Sequence, residues 1–207
     1  SEFDLQVNVP NKKRLAIKKI KTPLLGIHNV RNSVGAAAVA LTVGISISDI
    51  KKGLLNFRGV QRRFNKIFKY NDIDFYDDYA HHPTEIKAVI NSARQVYKDR
   101  KIICVFQPHR YSRIKFLKND FAQSFKHCDE VVLCPVYAAG EKIKYNFKQD
   151  DFSQLISKKS KIQVININDQ KDLKNYIKKN LVSDEMVICM GAGSISNWIR
   201  EIGNNIK

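Results

Sequence analysis

The sequence predicts an α/β protein: a larger domain on a mostly parallel sheet, preceded by a smaller piece made of a hairpin and two helices. Two observations carry this. From Gly59 onward, short apolar runs alternate with amphipathic helical segments, an order that implies parallel strands joined by helical crossovers. Before Gly59, two alternating segments give way to helical periodicity, with too little apolar material for a core of its own. A chain of 207 residues with 43% hydrophobic content can bury one good core plus a fragment of another.

Taken in order, residues 3 to 9 and 13 to 21 alternate apolar and polar side chains around Pro10-Asn11-Lys12, the pattern of a half-buried hairpin. After Gly26, Val30, Val34, Ala37, Ala38 and Leu41 fall on one face of a helix that ends at Gly44, and Ser48 opens a second helix through Leu55. Past Gly59 come a strand, a hairpin turn and a second strand. Regular alternation follows: helix 84–97, strand 101–106, helix 114–126, strand 131–136, a helix near 151–158, strand 162–167, helix 170–180, strand 186–190 and helix 194–202. The helix at Pro83 is the clearest: proline sits in its first turn, Glu85 follows, and Ile86, Val89, Ile90, Ala93 and Tyr97 make one apolar stripe. The layout is Rossmann-like. The opening strand lacks a preceding partner, which reads as truncation, while Ser1-Glu2-Phe3, without methionine, is equally compatible with a cloning remnant and carries no weight.

No apolar run approaches the roughly 18 residues needed to span a bilayer, and no signal-peptide pattern opens the chain, so the reading is a soluble, cytoplasmic protein with no membrane partner. Cys104, Cys128, Cys134 and Cys189 lack CxxC spacing, and three lie in strand-like runs, which favours buried thiols over disulfides or zinc ligands. The net charge of +16 is compatible with nucleic acid, a membrane surface or an anionic small substrate. Its lysines are scattered and lack interleaved aromatic residues, so no nucleic-acid partner is expected.

In open parallel sheets ligands bind beyond the carboxyl ends of strands. The segments at those positions are Asp77-Asp-Tyr-Ala-His-His-Pro-Thr-Glu85, Gln107-Pro-His-Arg-Tyr-Ser-Arg113, Tyr137-Ala-Ala-Gly-Glu141 and Gly191-Ala-Gly-Ser194. The first puts two carboxylates and two imidazoles within six residues, directly before a helix. A plainer reading stands beside it: His82 or Thr84 caps the helix and Asp78 pairs with a lysine. Adjacent histidines in a loop seldom converge on one ion, so no metal site is expected at His81 and His82. Arg62-Arg63, between the two pieces, is either a phosphate clamp or a solvated pair. Asn29 and Asn32, one turn apart on a helix, can offer amides to an adenine edge, or Asn29 is a cap. The Gly191 turn lacks a third glycine and follows the last strand, so it is a weak dinucleotide signal.

Together Gly26-Ile-His-Asn-Val-Arg-Asn32, Gly59-Val-Gln-Arg-Arg-Phe64, Asp77 to Glu85, Phe106 to Arg113, Val136-Tyr-Ala-Ala-Gly-Glu141 and Gly191-Ala-Gly193 resemble the Mur ligase superfamily. The Gln107 to Arg113 stretch points to its alanine-adding branch rather than to the ligase that recycles murein tripeptide, although the family usually has threonine where Ser112 stands. The resemblance implies that residues 1–57 are the end of a P-loop-type central ATPase domain and 58–207 a C-terminal Rossmann-like ligase domain. It implies a reaction joining L-alanine to UDP-N-acetylmuramate in peptidoglycan synthesis: ATP phosphorylates the muramate carboxylate, and alanine's amino group attacks the acyl phosphate.

No Gly-x-x-Gly-Lys-Thr/Ser segment occurs, so the family's P-loop lysine, magnesium-binding glutamate and central-domain histidine have no counterpart here. Mg would be held mainly by residues absent from this chain, and the 207 residues alone are expected to be inactive. By position, Asn29 and Asn32 resemble adenine contacts, Arg63 a phosphate or intermediate contact and Asp78 the ribose-binding carboxylate. His81, His82, His109, Arg110, Arg113 and Tyr137 would face the amino acid and the substrate carboxylate or acyl phosphate, with His81 a candidate base. A homodimer of the full-length enzyme is compatible with the resemblance. The rivals from other classes are a basic nucleic-acid-binding module and a freestanding nucleotide sensor.

Overall fold

The structure is a computed structural model that describes residues 1–8, 14–142 and 146–206. It contains two compact units, Ser1–Val60 and Gln61–Lys207.

In the first unit β1 (Glu2–Val7) pairs antiparallel with β2 (Leu15–Lys21), Glu2 opposite Lys21 and Val7 opposite Leu15. The turn expected at Pro10–Lys12 lies outside the described residues. The buried residues of β2, Ile17 and Ile20, are three apart rather than two. The cause is an irregularity: the register shifts between Phe3 and Leu5, and Lys19 takes φ 55° while its N–H donates to Asp4 Oδ1 at 2.7 Å. Helix α1 (Ile27–Thr42) ends where Gly44, at φ 85°, lets its own N–H and that of Ile45 reach the Leu41 and Ala40 carbonyls. Of its expected stripe Ala37 is buried, Val30, Val34 and Leu41 are half-buried, and Ala38 is exposed. Helix α2 (Ile47–Asn56) starts earlier than expected: Ser46, not Ser48, is the cap, its Oγ accepting from the Asp49 N–H at 3.1 Å. Either serine has the right hydroxyl, but only Ser46 has the extended backbone of a cap.

The second unit is a six-stranded sheet in the order β3 (Asn65–Tyr70), β4 (Ile73–Asp78), β8 (Met186–Met190), β5 (Ile102–Phe106), β6 (Glu130–Leu133), β7 (Gln163–Asn166). All neighbours are parallel except the β3–β4 hairpin. Strands β5 and β8 are buried along their whole length, as continuous apolar runs require when helices cover both faces. Alternate side chains face opposite layers. Ile102, Cys104 and Phe106 pack with α3 (Pro83–Val96), α4 (Tyr111–Ala122) and α5 (Gln149–Ser160). Ile103 and Val105 pack with α6 (Gln170–Asn180) and α7 (Ile195–Asn205). All four cysteines are free and buried.

Several boundaries differ from expectation, among them the end of α4 at Ala122 rather than residue 126 and that of α7 at Asn205 rather than residue 202; two others have a visible cause. Helix α4 begins at Tyr111, three residues early, because Glu141 reaches across to accept from the Ser112 N–H at 3.0 Å and so caps a turn that lacks a capping side chain of its own. Strand β6 stops at Leu133 rather than residue 136. Cys134 N–H still bonds Phe106 O, but Pro135 has no N–H to extend the ladder.

The topology fixes where a ligand can sit. Strands β4 and β5 lead into α3 and α4 on one face, while β8 between them leads into α7 on the other. Loops leaving adjacent strands in opposite directions open a crevice at the carboxyl edge.

Candidate active site

The loop after β4 is pinned from several sides. Asp77 is fully buried, and its Oδ2 accepts from Ser196 Oγ at 2.6 Å and Arg200 Nη2 at 3.0 Å, both on α7. Its Oδ1 lies 3.9 Å from Arg62 Nε, and neither atom has a hydrogen-bond partner. The Arg62 guanidinium instead donates through Nη2 to Gly191 O and lies 4.6 Å over the Tyr79 ring, a cation–π arrangement. Arg62 O accepts from the Tyr79 N–H at 2.7 Å. Asp78 accepts from the backbone N–H groups of Phe64 (2.8 Å) and Ala80 (2.7 Å), not from a lysine. Burial pushes its carboxyl up to about 6, against those two amide bonds and the nearby Arg63 charge, which favour the ionised form.

The two histidines that follow play different parts. His82 is the N-cap of α3, its Nδ1 accepting from the Thr84 N–H at 3.3 Å, while Glu85 Oε2 accepts from the N–H groups of both His81 (3.0 Å) and His82 (3.2 Å). The capping role considered for His82 is therefore present. His81 Nδ1 lies 2.9 Å from Tyr79 O, and its ring meets that of His109 edge-on at 5.8 Å.

From the loop after β5, His109 stacks on Tyr137 with centroids 5.6 Å apart, and its Nδ1 lies 3.2 Å from Arg113 Nη1. Burial first, then the charges of Arg113, His81 and Arg110, hold its pKa below the ordinary value, so the ring is neutral near pH 7. Arg110 is the N-cap of α4 with φ 71°, and its N–H donates to Tyr137 O at 2.9 Å. Glu141 accepts from the N–H and hydroxyl of Ser112, which keep it ionised below the usual carboxylate range, and sits 4.0 Å from Arg110 Nη1. Two arginines thus flank the N-terminus of a helix, where dipole and guanidinium both favour an anion.

The turn after β8 closes the crevice. Gln107 is buried, donates from Nε2 to Ser194 Oγ at 3.0 Å and accepts from the Ile195 N–H at 3.0 Å. A Cβ on Gly193 would lie 2.5 Å from Gln107 Oε1 and from Tyr137 Cγ, so only glycine lets the turn press this close.

Of the site residues expected from sequence, His81, His109, Arg110, Arg113 and Tyr137 form one contiguous array, with His82 at its back as a helix cap. Arg63 is exposed, its own N–H donating to Asn65 Oδ1. Asn29 and Asn32 lie on α1 of the other unit, where the Asn29 amide donates to Leu25 O at 2.7 Å and Asn32 is exposed. Neither is the cap of α1, which is Gly26. Sequence reasoning missed Ser196 and Arg200, which lie more than a hundred residues from Asp77 and carry no local signal. Arg62 was weighed only as half of the Arg62-Arg63 pair, and Gln107 only as part of its motif; neither a phosphate clamp nor a solvated pair describes Arg62, whose guanidinium is spent on Gly191 O and the Tyr79 ring. Among the described residues no three His, Cys, Asp or Glu side chains gather around a point that could hold a metal ion. No helix is long and apolar enough to cross a membrane among those residues.

Comparison with known proteins gives this arrangement a family. Residues 62–193 match the family described as Mur ligase, glutamate ligase domain. A UDP-N-acetylmuramate–L-alanine ligase of Pelagibacter ubique is 55% identical over 98% of this chain and 44% of its own length. One from Brachyspira hyodysenteriae is 44% identical over 91% of this chain and 40% of its own. The chain thus spans about two fifths of the length of these curated relatives. Among solved structures, the UDP-N-acetylmuramate-alanine ligase of Thermotoga maritima superposes with a TM-score of 0.72 at 28% identity, over 99% of this chain and 43% of that one. A murein peptide ligase of Psychrobacter arcticus, 22% identical with a TM-score of 0.69, shares the fold over 97% of this chain and 42% of its own. By the match over residues 62–193, the chain belongs to the Mur ligase family and carries its glutamate ligase domain.

Proposed function

We propose that this chain is the C-terminal part of a cytoplasmic, ATP-dependent ligase that joins L-alanine to UDP-N-acetylmuramate through an acyl phosphate, a step of peptidoglycan synthesis on which cell shape and division depend. The observation that carries the reading is the contiguous array of His81, His109, Tyr137, Arg110 and Arg113 in the crevice. It supplies what the chemistry demands: guanidinium groups for a developing anion, and an imidazole for the proton that alanine's ammonium must lose before it attacks. Relatives named for this reaction cover almost the whole chain.

In this reading Arg110 and Arg113 bind the substrate carboxylate or acyl phosphate, and His109 with Tyr137 forms the wall against which the amino acid is placed. His81 takes the ammonium proton, and His82 fixes the start of α3 beneath it. Asn29 and Asn32 contact adenine and Arg63 a phosphate. Asp78 fixes the loop through Phe64 and Ala80, leaving its remaining lone pairs for the ribose. Magnesium does not fit the described residues of this chain, among which no three His, Cys, Asp or Glu side chains converge on one point. The ion and the triphosphate would be held by residues outside these 207, which contain no P-loop.

The test is a chimera in which this chain replaces the matching 202 residues of the Pelagibacter relative. Arg110→Ala or Arg113→Ala should lower kcat/KM by about 10²-fold or more, as loss of a group stabilising transition-state charge does. Unchanged turnover in both would remove the basis of the reading.

A further inference from the structure

The three histidines at the crevice are each held by neighbours that fix where the ring proton sits. His82 Nδ1 receives the Thr84 N–H, so this nitrogen is unprotonated and the proton is on Nε2. His109 Nδ1 faces Arg113 Nη1, a group that only donates, so its proton is also on Nε2. His81 is the reverse. Its Nδ1 lies 2.9 Å from the Tyr79 carbonyl and 3.4 Å from Glu85 Oε2, two groups that only accept, so Nδ1 carries the proton and the lone pair is on Nε2.

That form runs against the ordinary preference of neutral histidine for Nε2–H, so something must hold the Tyr79 carbonyl in place. Tyr79 is tied on both sides: its N–H donates to Arg62 O, and its ring lies against the Arg62 guanidinium, which is anchored on Gly191 O beside Asp77. From this we infer that Arg62 is a positioning residue which, through Tyr79, locks His81 in its Nδ1–H form, making His81 the one ring of the three that can accept a proton at Nε2. The inference rests on the ligase reading only for what that proton is. The ring states themselves do not depend on it.

The experiment uses this chain labelled with ¹⁵N, at a pH where the rings are neutral, and reads two-bond ¹H–¹⁵N correlations, in which a protonated and an unprotonated ring nitrogen are well separated. Signals are assigned with His81→Gln, His82→Gln and His109→Gln. The expected pattern is Nδ1–H for His81 and Nε2–H for His82 and His109. Nε2–H at His81 in the unaltered chain would overturn the inference by itself. Arg62→Met, with Tyr79→Leu as a second variant should the first not fold, is expected to move His81 toward Nε2–H while His82 and His109 keep their patterns. A folded variant in which His81 stays fully Nδ1–H would show that Arg62 does not position it. In the chimera Arg62→Met is expected to lower kcat more than it raises the KM for alanine, and His81→Gln should then add little further loss. Losses that multiply would mean that Arg62 acts by another route. A chimera without any ligase activity would leave the spectral result standing, so the two readings fail separately.

Discussion

Asp77→Ala is expected to cost this chain far more than its position beside the candidate site suggests. The substitution removes the acceptor of the Ser196 hydroxyl and of Arg200 Nη2, and the only carboxylate oxygen within 4 Å of Arg62 Nε among the described residues. Breaking a buried ion pair by deleting one partner costs about 3–5 kcal/mol, because the charge left behind has no compensation. Here Arg200 is 45% exposed and can regain water, whereas Arg62 is only 24% exposed, so the loss falls near the lower end, about 3 kcal/mol. At roughly 2–4 °C per kcal/mol for a chain of this size, the melting temperature should fall by about 6–12 °C. The single tryptophan, Trp198, lies on α7 between Ser196 and Arg200, so its fluorescence during urea unfolding follows the unit in question. Ser196→Ala removes one hydrogen bond and should cost only about 1 kcal/mol. A loss below about 1 kcal/mol for Asp77→Ala, with the fold intact, would refute the idea that this carboxylate ties α7 to the β3–β4 side of the crevice.

Three further outcomes follow from the same geometry. Gly193→Ala places a methyl group 2.5 Å from Gln107 Oε1 and Tyr137 Cγ and should destabilise by about 1–3 kcal/mol in a thermal melt, shifting the Tyr137 and His109 ring resonances. Asp78 has its carboxyl raised from 3.8 to about 6 by burial. The folded state therefore holds this proton more tightly than the unfolded one, and the contribution is present at low pH and lost as pH rises from near 4 to about 6, amounting to about 3 kcal/mol. The stability difference between the unaltered chain and Asp78→Asn, followed by urea titration over that range, should shift accordingly, and a flat difference would contradict it. Glu141→Gln removes the charge that Ser112 holds in the ionised form, so hydrogen exchange at the Ser112 amide should accelerate while the middle of α4 is unaffected.

Much of this architecture was legible in the sequence, for identifiable reasons. Strand β8 and helix α6 lie at their expected bounds because apolar runs and helical stripes between polar breaks depend on local pattern alone. The parallel sheet followed from the alternation, and the crevice from knowing which loops follow strands. Local pattern failed where a distant group decides. The early start of α4 needs Glu141, some thirty residues downstream, to cap it. The choice between Arg62 and Arg63 is invisible in an Arg-Arg pair. It is made by a backbone that turns left-handed at Arg62 (φ 59°) and Phe64 (φ 52°), sending one guanidinium inward and leaving the other exposed. Ser196 and Arg200 read as ordinary positions of an amphipathic helix until Asp77 is placed beside them.

The most direct test of the functional account is product formation by the chimera on the Pelagibacter relative, given ATP, magnesium, UDP-N-acetylmuramate and a choice between L-alanine and a murein tripeptide. The expected outcome is a product heavier than UDP-N-acetylmuramate by one alanine residue, phosphate released in step with it, and none from this chain alone. A folded chimera that joins the tripeptide in preference to alanine, or the 207 residues forming the amide unaided, would contradict it.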